Sequence, residues 1–132
     1  MQLVRQAALD VAVVEVEGPP RVWAGLIVAL RLHLTRLVLL TPQPLRVVAT
    51  AIPHTLVTLV LDTPPGADGV SALAPWDVPG ALSAGIFDVQ ARLGQAPRFI
   101  VRGAATAEPV GWEAAQDACQ AHSVALELEA VY

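Results

Sequence analysis

Eleven prolines and nine glycines cut an otherwise aliphatic chain of 132 residues into short runs. These breaks limit the fold more than any other feature. Proline lacks an N–H and fixes φ, and glycine costs backbone entropy inside regular structure, so both mark the ends of elements. The runs between them suit short strands and helices. The most apolar stretch, residues 22–40, is interrupted by Arg31, His33 and Arg36, leaving only Val22 to Leu30 without a polar side chain. A bilayer span needs about 20 such residues, so a soluble chain is expected. The start, Met1-Gln2-Leu3-Val4-Arg5, lacks a basic-then-apolar leader pattern.

Periodicity assigns the runs. Asp10 to Glu17 ends in Val14-Glu15-Val16-Glu17, the alternation of a strand with one apolar and one acidic face, and Gly18-Pro19-Pro20 stops it. Arg21 to Leu34 sets Val22, Trp23, Leu26, Ile27, Leu30 and Leu34 at helical spacing, opposite Arg31 and Thr35. Arg36 to Thr41, Leu45 to Ile52 and Thr55 to Asp62 are rich in Val, Leu and Thr and read as strands. Pro42-Gln43-Pro44 then reads as a turn between the first two, making them antiparallel. Thr63 to Gly80 has no period and reads as a long loop. Leu82, Ile86, Val89 and Leu93 predict a helix stopping at Gly94. Pro97 to Ala105 is a strand, Trp112 to His122 a helix, and Val124 to Tyr132 a last strand.

The order β-α-β-β-β-α-β-α-β predicts one α+β domain (an α/β sandwich) over residues 1–132. It would hold a single mixed sheet with helices mainly on one face. The other face would carry Glu15, Glu17, Glu127 and Glu129 beside Arg98 and Arg102. These residues would pair across strands if the first, fifth and last strands are neighbours.

Composition narrows the function classes. The chain is 55% hydrophobic, 15% charged and only 5% aromatic, so Val, Leu and Ala must build the core. So few charges leave apolar surface on a monomer, and self-association is the expected way to cover it. A net charge of −4 gives no cationic footprint for phosphates. Nucleic-acid binding is disfavoured and rests only on Arg98 and Arg102 sharing a face. The chain has neither lysine nor asparagine, and all eight cations are arginine. A GC-rich genome produces that pattern, so the arginines are no sign of selection for a forked guanidinium. A heat-tolerant source would leave the same signature. The single cysteine, Cys119, excludes an internal disulfide and suits a reducing, cytoplasmic compartment.

Candidate site residues lie at three strand-to-helix connections: Gly18-Pro19-Pro20, the loop after Asp62, and Gly103 to Val110. In open α/β sheets ligands gather outside the carboxyl ends of the strands. If the three strands run parallel, Glu17, Asp62, Asp68, Trp76, Asp77, Thr106 and Glu108 would lie at one end. That end would be acidic, fit for a hard cation or a cationic ligand. The competing reading is that the aspartates are ordinary turn formers and caps, and that Trp76 pins the loop to its own domain.

Other constellations are weaker. Neither Gly66-Ala67-Asp68-Gly69 nor Gly103-Ala104-Ala105-Thr106 has phosphate-loop or dinucleotide spacing, so no cofactor is implied. Pro19 and Pro20 remove the N–H groups an anion would use at the first helix start. Cys119 and His122 supply two of the four ligands a structural zinc needs, with no second pair, so no metal is expected and Cys119 reads as a small buried hydrophobe. Glu113 and Asp117 share a helix face, and no serine sits in a nucleophile elbow. The expected function is a non-catalytic, homo-oligomeric binding or interaction module. The alternatives are a small enzyme with a carboxylate-lined, Mg²⁺-dependent site at the strand-to-helix loops, and a weak nucleic-acid binder.

Overall fold

The structure is a computed structural model that describes residues 2–6, 11–30 and 33–132. The predicted contributions of Asp10 to the first strand and of Arg31 to the first helix lie outside the described residues. The chain forms strands β1 (Gln2–Gln6), β2 (Val11–Val16), β3 (Leu34–Leu39), β4 (Thr58–Asp62), β5 (Arg98–Gly103) and β6 (Leu126–Ala130). Helix α1 (Pro20–Leu30) connects β2 to β3, and α2 (Leu45–Val48) connects β3 to β4. Helices α3 (Val78–Ser83) and α4 (Asp88–Arg92) lie between β4 and β5, and α5 (Trp112–Ala121) between β5 and β6. Among the described residues these strands make one sheet in the order β1-β2-β3-β4-β5-β6. β1 is antiparallel to β2, and every later pair is parallel.

Strand order equal to chain order has a direct consequence. Right-handed crossovers that always step toward the same edge place every connecting helix on one side of the sheet. The core agrees with this placement. Val14, Val16, Leu37, Leu39, Leu59, Leu61, Phe99 and Val101 project from one sheet face. They pack against Trp23 and Ile27 of α1, Leu45 and Val48 of α2, Leu82 of α3, and Trp112, Ala115 and Cys119 of α5. An edge-to-face contact between Phe87 and Phe99, with ring centroids 5.5 Å apart, adds the one aromatic pair described.

The alternate strand positions form the opposite face. Val38, Val60 and Ile100 make a narrow apolar stripe there, in register across β3, β4 and β5. All three are buried although none of the described helices covers them. Long charged side chains shelter the stripe. Arg98 Nη1 lies 3.4 Å from Glu127 Oε1, and Arg102 Nε lies 3.7 Å from Glu129 Oε1. Arg36 Nη2, from β3, ends 4.0 Å from Glu129 Oε2 on β6, so its stem crosses the intervening strands.

Five expectations are corrected. Leu45 to Ile52 is no strand: α2 and a 3₁₀ turn (Ala49–Ala51) occupy it. Leu45, Val48 and Ile52 are the buried positions, a spacing of three and four that a strand cannot bury on one face. Pro44 stands before the first turn, where a missing N–H costs nothing. The Val-rich composition misled because burial, not β-propensity, decides here. As a result β3 and β4 are parallel neighbours, not an antiparallel pair across Pro42-Gln43-Pro44.

The predicted helix through Leu82 and Leu93 is two short helices. Gly85, at φ 85°, breaks it, and Gly94, at φ 69°, ends the second as expected. The long loop is also shorter than expected. Its last third folds into a 3₁₀ turn (Ala74–Trp76) and the start of α3. Finally, β2 lies three strands away from β5, so Glu15 and Glu17 do not pair with Arg98 and Arg102; only the β5–β6 half of that lattice forms.

Candidate functional site

β2, β4 and β5 are parallel, so the loops after them leave from the same end of the sheet. Glu17 follows β2, but β3 separates it from Asp62 at the end of β4, a lateral distance of about 10 Å. Glu17, Thr106 and Glu108 are exposed. Asp68 is also exposed, and its Oδ1 accepts the Val70 N–H at 3.1 Å, the local bond of a turn-forming aspartate. Asp77 adopts a left-handed conformation (φ 48°, ψ 51°) before α3, and its carboxylate occupies the space a side chain at position 80 would need. Trp76 is fully buried in the core. Among the described residues no group of three or more His, Cys, Asp or Glu side chains could hold a metal ion.

A hydrogen-bonded brace fills much of this end. Ser71 Oγ donates to Thr63 O at 2.7 Å and accepts the Ala104 N–H at 3.2 Å. The Thr63 hydroxyl donates to Arg102 O. The Leu73 N–H donates to Val110 O, and the Val110 N–H to Ser71 O, each at 2.9 Å. These bonds tie the loop after β4 to the loop after β5. Asp62 is buried and accepts a hydrogen bond from the Tyr132 hydroxyl. Partial burial, then the bond to Asp62 and its charge, push the Tyr132 phenol up to about 12, against the opposing pull of Arg102. Sequence reasoning missed Ser71, Thr63 and Tyr132, because single hydroxyls far apart in the chain carry no spacing signal.

The thiol and imidazole of α5 look in different directions. Cys119 is buried in the core, and desolvation raises its thiol to about 11, which keeps it protonated and inert. His122 Nδ1 instead lies 3.3 Å from Asp88 Oδ1 of α4. That contact joins the two helices across a shallow depression lined by Ala91, Arg92 and Ser123.

The outer surface of the helical layer differs from both. Val22 and Val28 on α1, Val47 on α2, Val89 on α4 and Leu93 just after it are all at least half exposed, Leu93 at 65%. Between α1 and residues 50–55 runs a groove of about 590 Å³. Its α1 wall is Arg21, Ala24, Ile27 and Val28, and its other wall includes Ile52, Pro53 and His54. His54 also borders two further depressions, one reaching Val57 and Gly94 and the other Ile86 and Val89. His54 thus stands where three depressions between α1 and α4 meet its side chain. Gln90 Nε2 lies 2.7 Å from His54 Nδ1, which ties the ring to α4. The helical spacing of Leu45, Val48 and Ile52 was the signal that would have put residues 50–55 beside α1.

No protein-family model matches the chain, and no curated protein or solved structure shows significant similarity to it.

Proposed function

We propose that the chain is a non-catalytic interaction module that self-associates through the outer surface of its helical layer. One observation supports this above the others: large aliphatic side chains stand in solvent on α1, α2 and α4, while the open sheet face is closed over by its own arginines and glutamates. Contiguous apolar surface is a recurrent mark of association sites on soluble domains. Val89 of α4 and Leu93 at its C-cap are one turn apart and both exposed, so they present one apolar ridge. Among the described residues no helix is long and apolar enough to cross a membrane, so a bilayer-spanning helix does not account for this surface.

The carboxylate-site reading has less support. Asp62 is engaged by Tyr132, Asp68 by its own turn, and Trp76 by the core. Nucleic-acid binding has less still, because Arg36, Arg98 and Arg102 each face a glutamate.

Sedimentation velocity tests the proposal. The wild-type chain is expected to sediment as a dimer or larger species at micromolar concentration, and Val89→Glu with Leu93→Glu to shift it toward monomer without loss of helical signal. A wild-type chain that is monomeric throughout that range would end the self-association reading.

A further inference from the structure

The geometry points to the groove beside α1 as a binding site for a small amphiphilic carboxylate, with its charged end on Arg21 and its apolar tail laid along the helix toward Val28. This rests on the reading that the helical layer is a binding surface, but not on self-association.

The groove has the size and character of a ligand site. Its volume of about 590 Å³ falls within the range of small-molecule sites, which are mostly apolar with a few placed polar groups. Ala24, Ile27 and Val28 form one wall, with Ile52 and Pro53 opposite. Arg21 and Val28 are seven residues apart on α1, about 10 Å along the axis at 1.5 Å per residue. A straight chain of roughly eight carbons lies comfortably over that length.

Charge selects the head group. The protein as a whole carries −4, yet no carboxylate lines this groove, and its ionisable side chains are Arg21 and His54. Among the described residues Arg21 makes no ion pair, unlike the three arginines of the sheet face. Its guanidinium offers a planar fork that matches a carboxylate in two parallel bonds. Pro19 and Pro20 remove backbone donors at this helix start, so the side chain of Arg21, not the helix terminus, holds the anion. An ammonium head group would meet Arg21 as a like charge, and an alcohol would forgo the ion pair.

Chemical-shift titration of the ¹⁵N-labelled full-length protein with octanoate, octanol and octylammonium tests this. Octanoate is expected to shift the amides of α1 and residues 50–55 and to bind about fivefold more tightly than octanol, the scale of a part-exposed ion pair. Octylammonium is expected to bind more weakly than either. Arg21→Gln, at an exposed position that does not threaten folding, should remove the octanoate advantage and leave octanol binding unchanged. Val28→Asp, also exposed, should weaken both. Equal affinity for octanoate and octylammonium, shifts confined elsewhere, or an unaltered Arg21→Gln variant would overturn the assignment. The titrations are run at one fixed protein concentration, so that shifts from self-association do not enter the comparison. Sedimentation of the same samples separates the two claims: a self-associating protein indifferent to octanoate loses only the ligand, and a monomer that binds it loses only the self-association.

Discussion

Two tryptophans show how much a single polar atom decides in this core. Trp23 and Trp76 are both fully buried. Trp23 Nε1 donates to Gly18 O at 3.1 Å, the same oxygen that accepts from Gln43 Nε2 at 3.0 Å. Among the described residues Trp76 Nε1 has no hydrogen-bond partner. Replacing either ring with Phe loses similar volume, but only Trp23→Phe also breaks a hydrogen bond, and Trp76→Phe relieves an unsatisfied donor. Trp23→Phe is therefore expected to cost about 1–3 kcal/mol more than Trp76→Phe in urea unfolding. Equal losses would mean that the indole N–H of Trp76 is satisfied in solution.

Tyr132 gives a second test at this scale, because it is the only tyrosine in the chain. Its phenol is raised from the ordinary 10.0 to about 12, first by partial burial and then by Asp62. A raised acid favours the protonated folded form. The stabilisation is therefore whole below pH 10.0 and is lost as pH rises through about 12. Phenolate absorbance should show a midpoint near 12, and Asp62→Asn should lower it; a wild-type midpoint near 10 would remove the Asp62 bond from the account. Cys119, raised to about 11 by burial, should likewise resist alkylation at neutral pH until the protein is unfolded.

At the scale of elements, α2 is where sequence and structure part. Read by residue type, Leu45 to Ile52 is a strand; read by which positions are buried, it is helical. Leu45 and Val48 have opposite strand parity yet both are buried, while Val47 is half exposed. Leu45→Ala is expected to cost about 2–5 kcal/mol, and Val47→Ala to fall within about 0.5 kcal/mol of wild type, by chemical denaturation. A strand would make residues 45 and 47 alike, so similar costs at the two positions would contradict the helix.

The other elements were more legible. β2, α5 and the Gly94 stop follow from alternation, helical spacing and a glycine suited to positive φ; α1 follows as far as Leu30, but Leu34 opens β3 instead of closing the helix. What escaped was relational. The antiparallel β1, the sequential strand order and the Ser71–Thr63 brace depend on partners far away in the chain, and spacing within one run cannot show them. The groove was hidden for the same reason, since its second wall was assigned to the sheet.

On the scale of the whole molecule, the sheet divides two unlike surfaces. One face is closed by Arg36, Arg98 and Arg102 lying among Glu127 and Glu129, each pair part-exposed and worth at most about 1 kcal/mol. Salt should loosen this lattice while stability falls little, because the Val38, Val60 and Ile100 stripe still packs beneath it. The other surface, outside the helices, holds the exposed Val22, Val28, Val47, Val89 and Leu93. The two surfaces thus differ in kind: ion pairs lie over the first, and exposed aliphatic side chains mark the second.

Hydrogen–deuterium exchange at dilute and concentrated protein tests that division most directly. The account predicts that concentration slows exchange in the peptides of α1 and α4 and leaves β5 and β6 unchanged. Protection gained along β6, or none gained anywhere, would contradict it.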